Sequence, residues 1–458
     1  MKKIIWICLY LLVALQIFAN ADTNINDKRA WKSLLQDHKF EVLDKELDKL
    51  QKDYENDPTK EIVLSRAFEA FENSDPLLEK DIEFWIKQRP DSNHAHLASA
   101  LYHLNIGWLY RGYGWSSETS EKQFAKMKAY FRKAKEEMLY VIEKNPKQTV
   151  AYTSLLDLLA TEGQKEEYRR YLKEALHHNP LSFLIRRMHL LMLQPKWGGS
   201  LAEIKEFMKE TEKLYSQNSL LKKQEGFYEF AQGEKILTAK NRDKATYRQS
   251  LPYYTQAIEK NPYHTYLERR ADIYFYLKEY KKALADYHQA LRDDPQSETA
   301  LIGLAKCYRK QKEYDTALTY ANKAVENDRM NPYALSTRGK IYYKMNRMND
   351  AMLDLIDSLT YGDHLASAHK FLGYIYYYTK KNYRFAAQEL KIASQLGSKS
   401  SYLWYLITAA QWHDRDCEFV KSAARYEKKC KENGDCKQKK LVWALRSAEF
   451  AKNRGICK

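Results

Sequence analysis

Four cysteines, Cys417, Cys430, Cys436 and Cys457, crowd the last 42 residues of this 458-residue chain. Thiols so close together either pair with one another or hold a metal. No C-x-x-C pair occurs among them, so a zinc site fits poorly and disulfides come first. The segment "CEFVKSAARYEKKCKENGDCKQKKLVWALRSAEFAKNRGIC" reads as two helices joined at "ENGD". A hairpin of that kind places Cys430 near Cys436 and the far ends, Cys417 and Cys457, near each other. This nested pairing is preferred over the two other connectivities, although the arms are unequal and the residues after Gly455 have to fold back. An outer bridge of that span contributes about 4 kcal/mol by loop entropy. Cys307 sits beside Tyr308 where a small residue suits a helix contact, and is expected to be a buried, unreactive thiol.

A second set of residues points to recognition. On four successive helices, three positions flank a recurring tyrosine: Asp272, Phe275 and Tyr276; Lys306, Arg309 and Lys310; Lys340, Tyr343 and Lys344; Tyr374, Tyr377 and Tyr378. Five of the twelve are basic, six are aromatic and one is acidic. A solvated helix face mixes both signs of charge and carries few rings, whereas aromatic and Arg side chains anchor interfaces. The expected partner is an extended protein segment, acidic or containing aromatics. The candidate contacts are Tyr276, Lys306, Arg309, Lys310, Lys340, Tyr343, Lys344, Tyr374, Tyr377 and Tyr378.

Catalytic chemistry finds no comparable set. There is no nucleophile elbow, phosphate loop or metal quartet, and the acidic residues fall on helix surfaces. His94, His96 and His103 lie close in sequence, yet no Cys or carboxylate joins them at metal spacing. His177 and His178 close a helix, where they suit its negative end. No catalytic residue, metal or cofactor is expected, and the chain reads as a non-enzyme.

The elements that position these residues repeat. Ala271, Ala305, Gly339 and Gly373 are each 34 residues apart, and so are Tyr274, Tyr308, Tyr342 and Tyr376. Ala283, Ala317 and Ala351 follow in step, and Ala386 arrives one residue late; Ala290, Ala324 and Ser358 do the same, with Ala393 late. A small residue one turn before a tyrosine lets two helices approach while the ring fills the space between units. No 34-residue unit buries its apolar face alone, so the units stack.

This spacing resembles the tetratricopeptide repeat. "ERRADIYFYLKEYKKALADYHQALRDDP" (268–295) matches its pattern almost throughout. "LIGLAKCYRKQKEYDTALTYANKAVENDR" (301–329) departs at its end, where Arg329 replaces the closing Pro. Arg270 and Arg338 stand where Leu is usual. The resemblance implies an all-α fold, an α-solenoid of antiparallel helix pairs, with the first helix of each pair lining the binding face. The basic positions do not match the Lys and Asn set that clamps a terminal carboxylate in some members, so capture of a C-terminus is not expected.

Upstream, Pro146 and Pro180 are again 34 residues apart, with Gly163 at the corner of the hairpin between them. "RGYGW", "FRKAKEEMLYVIEKNP" and "LQPKWGGS" resemble an uncharacterised bacterial helical domain often found before tetratricopeptide repeats. The corner "LQPKWGGSLAEI" (193–204) has its own reading. Pro195 stops one helix, and Ser200 with Glu203 caps the next. Gly198 and Gly199 allow the turn, and Trp197 covers it. The sharper alternative is an anion on the new helix start, helped by Lys196.

The composition bounds the rest. Pro and Gly are scarce, 10 and 15 residues, which suits long helices joined by tight corners. "MKK", the apolar run Ile4 to Phe18 and Ala19-Asn20-Ala21 read as a signal peptide cleaved before Asp22. The expected divisions are 1–21 signal, 22–240 N-terminal helical domain, 241–400 repeats and 401–458 disulfide-bonded cap. Export places the protein in a periplasm or outside the cell, with no transmembrane segment in the mature chain. The net charge is +16, and residues 417–458 hold 12 basic and 5 acidic residues. That basic end supports the alternative function, an accessory bound to an anionic envelope or cell-wall polymer. Nucleic acid shares the charge but finds no motif here and is not expected after export.

Overall fold

The computed structural model describes residues 27–112, 119–238, 243–398, 400–434, 437–454 and 456–457. The signal peptide and its cleavage site lie outside the described residues. Everything regular among the described residues is helical. The chain forms two compact units, residues 27–111, 119–300 and 326–329 in one, and 301–325 with 330–457 in the other. The break falls inside the repeat array, one turn into a helix.

The first unit holds fourteen α-helices among its described residues: α1 (Lys28–Gln36), α2 (Phe40–Asn56), α3 (Glu61–Phe68), α4 (Pro76–Gln88), α5 (Asn93–Arg111), α6 (Glu121–Lys144), α7 (Thr149–Thr161), α8 (Lys165–His178), α9 (Phe183–Met192), α10 (Leu201–Glu212), α11 (Phe227–Ile236), α12 (Lys244–Lys260), α13 (His264–Leu277) and α14 (Tyr280–Asp293). Local sequence sets their starts. Asp75 accepts from the Leu77 N–H in front of Pro76, and Ser120 with Gln123 forms a full capping box. At the 193–204 corner, helix α9 ends at Met192. The Ser200 hydroxyl accepts from the Glu203 N–H at 3.2 Å to start α10.

Helix α15 (Glu298–Gln311) and α16 (Tyr314–Asn327) carry the chain into the second unit. It continues with α17 (Pro332–Lys344), α18 (Met348–Asp357), α19 (Ala366–Tyr374), α20 (Tyr383–Gln395), α21 (Ser401–His413), α22 (Phe419–Asn433) and α23 (Gln438–Asn453). The small residues act as expected. A Cβ on Gly339 would meet Leu355 Cγ at 2.9 Å, and one on Gly373 would meet Leu390 Cδ2 at 2.6 Å. Helix α19 runs on as a π-helix, Ile375–Lys380. That wider turn takes up one extra residue, which is why Ala386 and Ala393 arrive late.

The repeat tyrosines differ from expectation. Tyr274, Tyr308, Tyr342 and Tyr376 are half-buried rather than central to the packing. Cations cover two of these rings: Lys282 lies 5.3 Å from the Tyr274 centroid and Arg347 4.3 Å from that of Tyr342. A phenol at the edge of a helix pair keeps its face available to a charged neighbour and its hydroxyl in water. The fully buried rings are others, Tyr254, Tyr266 and Tyr287.

The two Arg-for-Leu departures have a partner. Arg270 clasps Asp286 with two hydrogen bonds of 2.8 Å, joining α13 to α14. Arg338 repeats this on Asp354 at 2.7 and 2.8 Å, joining α17 to α18. The spacing is 16 residues in both repeats. Where Leu304 stands instead, Tyr320 occupies the matching place.

Stacking brings together only sequence neighbours, yet the first unit also closes on itself. The Asn73 side-chain amide donates to the Asn327 carbonyl at 3.0 Å. Arg66 donates to the Asp293 carbonyl at 2.7 Å, and the Lys28 N–H to Gln296 Oε1 at 3.1 Å. Arg329, the residue that breaks the repeat pattern, lies 3.7 Å from Asp75.

The C-terminal hairpin α22–α23 turns at Gly434, whose φ is 65°. Its core joins Phe419, Ala423, Tyr426, Ala444, Ala448 and Ala451. Cys417 and Cys457 are disulfide-bonded, with Cα atoms 5.4 Å apart. Cys430 is disulfide-bonded as well; Cys436, its expected partner, lies outside the described residues. Cys307 is buried and takes part in no disulfide.

Candidate functional site

Helices α15, α17 and α19 bring most of the expected contact residues onto one band in the second unit. The small-residue stripe of each helix faces its own second helix, so the positions to either side of the stripe fall on another face. Lys306 and Arg309 on α15 are half-buried, and Lys310 is exposed. Lys340 on α17 is half-buried, with its ammonium 3.2 Å from the Ser367 hydroxyl oxygen, to which it donates. Burial first, and then the charges of Lys306, Arg309 and Lys370, hold Lys340 well below the usual lysine range. Lys370 is lowered in turn by burial and by Lys310 and Arg309. Five cations therefore repel one another in one place.

Aromatic rings adjoin the cations. Tyr343 meets Phe371 edge-on at 5.1 Å and Tyr374 at 6.4 Å. Tyr374 also packs on Phe371 at 5.7 Å. Tyr377 and Tyr378 meet at 4.9 Å, and Tyr378 shares a hydrogen bond with Tyr402. Burial pushes the phenols of Tyr374 and Tyr377 up to about 12, so both stay neutral and can donate hydrogen bonds. Lys344 is exposed, its ammonium 5.7 Å from the Tyr343 centroid. At the far end Lys440 of the hairpin lies 4.0 Å from the Tyr402 centroid and 4.3 Å from that of Tyr405.

Tyr276 belongs to the first unit, where it is exposed and stacked on Tyr247 at 5.2 Å with the rings 6° from parallel. The sequence reading missed Lys370, Phe371 and Tyr402. Lys370 and Phe371 precede Tyr374 by four and three residues, one turn away on the same face. The reading took only the positions next to the recurring tyrosine, and the i–3, i–4 rule would have found both.

The histidines near α5 each face a separate carboxylate: His94 with Asp48 at 2.9 Å, His96 with Glu137 at 2.5 Å and His103 with Glu79 at 3.3 Å. Among the described residues no group of three His, Cys, Asp or Glu could hold a metal ion. No described helix is long and apolar enough to cross a membrane.

Comparison with known proteins gives two family matches. Residues 28–166 match the family described as "Domain of unknown function (DUF4034)", and residues 274–341 match the tetratricopeptide repeat. No curated protein matches the chain. Among solved structures, one titled for the functional characterization of Pseudomonas aeruginosa pilF is 18% identical, covers 50% of this chain and 98% of its own, and has a TM-score of 0.40. PilW, titled a type IV pilus biogenesis factor, is 18% identical, covers 48% and 98%, and scores 0.40. YrrB, titled a repeat protein with an unusual peptide-binding site, is 18% identical, covers 42% and 97%, and scores 0.32.

Proposed function

The chain carries tetratricopeptide repeats behind an N-terminal domain of unknown function and so belongs to that repeat superfamily; on that premise we propose that it is an exported, non-enzymatic scaffold that binds an extended segment of another protein. The observation that carries this reading is the crowding of Lys340 by Lys306, Arg309 and Lys370 beside Tyr343, Phe371 and Tyr374. A carboxylate placed among these cations relieves their repulsion, and the rings offer stacking surface and phenol donors on the same band. An acidic segment with interspersed aromatics fits both demands. The signal-like N-terminus and the disulfide Cys417–Cys457 support an oxidising compartment, a periplasm or the cell exterior.

A second reading has one observation of its own. The basic hairpin places Lys440 over Tyr402 and Tyr405, so a long anionic envelope polymer could follow the charge from the band onto the hairpin. Salt separates the two readings: polymer binding falls steeply with ionic strength, while a stacked peptide falls less.

The test is a pull-down from the exported fraction with a Lys306→Glu, Arg309→Glu, Lys340→Glu variant whose helical signal matches the parent. Loss of the partners captured by the parent supports the band as the site. Unchanged capture rejects it.

A further inference from the structure

The Trp197-Gly198-Gly199 corner takes no part in the band, and it builds something of its own. Pro195–Trp197 forms one 3-10 turn, and Gly198 follows in the left-handed region at φ 94°. Gly199 lies so close to the preceding helix end that a Cβ there would meet the Leu193 carbonyl oxygen at 2.4 Å. Glycine at both positions folds the corner tightly and holds Trp197 outward, 43% exposed. The anion reading of this corner loses its cation. Lys196 donates to Glu234 at 3.1 Å, and Glu234 is buried and also clasped by Arg269.

Trp197 forms part of the lining of a cavity of about 490 Å³ between α7, α8, α9 and α10. That size lies within the range of small-molecule sites, roughly 300–1,000 Å³. Three further aromatic side chains line it: Tyr168, His189 and Phe207. They form a connected wall. The Tyr168 hydroxyl lies 3.1 Å from His189 Nδ1, and the imidazole meets Phe207 edge-on at 4.7 Å.

Charge gives the cavity a sign. Glu203, Glu206 and Glu210 follow one another at helical spacing along α10 and all line it. On the opposite side Lys165 and Arg169 line it from α8, but Arg169 is engaged by Glu166 at 2.8 Å. Arg186 lies 5.6 Å from the Phe207 centroid, tied to the Pro180 carbonyl at 2.8 Å. Burial pushes His189 down to about 4, so it adds no positive charge at neutral pH.

We infer that this cavity is a binding site for a small organic cation, an ammonium group carried on an apolar or aromatic body. Aromatic faces attract cations through the ring quadrupole, and Trp is the strongest of them. The three carboxylates of α10 supply the counter-charge, and Leu172, Met192 and Leu193 supply apolar surface for the body. The site lies wholly within the first unit, so it stands independently of the band on α15, α17 and α19.

The test is calorimetric titration of the full chain with benzyltrimethylammonium, with benzyl alcohol and phenylacetate as neutral and anionic counterparts of similar size. Saturable one-site binding of the cation is expected, at least tenfold tighter than either counterpart. Trp197→Ala and the double variant Glu206→Gln, Glu210→Gln should each weaken it at least tenfold. All of these positions are exposed, so the variants should keep the parent's helical signal and melting temperature. Absence of saturable binding at millimolar probe, equal binding of benzyl alcohol, or unchanged affinity in both variants overturns the proposal. So does tighter binding of Nα-acetyl-lysine amide than of benzyltrimethylammonium, since that assigns the pocket to a partner's lysine side chain.

Discussion

Ser74 donates its hydroxyl to Asp328 at 2.6 Å, and its backbone N–H reaches the same carboxylate at 3.2 Å, across 254 residues of sequence. Both residues are buried. The turn at 326–329 is thereby bound to the segment that follows α3, and the departure from the repeat pattern at Arg329 falls in this turn. Asp328→Ala removes an ionised acceptor from two buried donors and should lower the stability of the first unit by about 2 kcal/mol. Hydrogen exchange should show faster opening of residues 70–75 in the variant. Unchanged protection there would contradict the closure.

Glu61 carries a pH dependence. It is fully buried, accepts from the Phe183 N–H at 2.6 Å and the Leu184 N–H at 3.2 Å, and burial pushes it up to about 7. A carboxyl raised in the fold binds its proton more tightly there than in the unfolded chain. Its contribution is fully present below the unfolded value near 4.5 and is lost as pH rises through about 7. The melting temperature should therefore fall between pH 5 and pH 8, by an amount equivalent to about 3 kcal/mol from this group. Glu61→Gln should flatten that slope, while lowering stability at pH 5 through one mismatched donor. An equally steep slope in the variant would assign the dependence elsewhere.

Arg338 and Asp354 form an ion pair on the inner side of a helix pair, with Asp354 buried. Arg338→Leu alone strands that carboxylate and should cost about 3 kcal/mol in urea unfolding. The double change Arg338→Leu, Asp354→Leu should recover most of the loss, because Leu304 in the neighbouring repeat already fills the same place without a charge. A double variant as unstable as the single one would show that the pair does more than bridge two helices.

Reduction should loosen the C-terminal hairpin. The Cys417–Cys457 bridge closes a loop with a sequence separation of 40 residues, and its loss should cost about 4 kcal/mol. Peptide mapping without reductant should recover the 417–457 pair, Cys430 in a second disulfide and Cys307 as the alkylatable thiol. Recovery of Cys307 in a bridge would contradict the assignment.

The repeat and its helix pairs were legible because a 34-residue period leaves its mark on every unit. Even the departures carried meaning: Arg270 and Arg338 each have an Asp 16 residues on, and the late Ala386 signals the π-helical turn at Ile375–Lys380. The contacts of Ser74, Asn73 and Arg66 with residues 293–328 leave no such mark, since nothing periodic joins positions more than 200 apart. The half-buried state of Tyr274 and Tyr342 was equally hidden, because the cations that cover them come from the start of the next helix. The cavity beside Trp197 is formed by four helices whose separate sequences each look ordinary.

The most direct measurement of the central claim is photocrosslinking in the exporting cell, with a photoreactive residue at Tyr343 or at Tyr374 and, as control, at the exposed Lys323 on the second helix of its repeat. Crosslinked partners are then mapped to the residue by mass spectrometry. The account predicts partner segments rich in Asp, Glu and aromatic residues at Tyr343 and Tyr374, lost on adding Lys306→Glu, Arg309→Glu and Lys340→Glu, and absent at Lys323. Partners crosslinking equally at Lys323, or persisting at Tyr343 after the charge reversal, would contradict it.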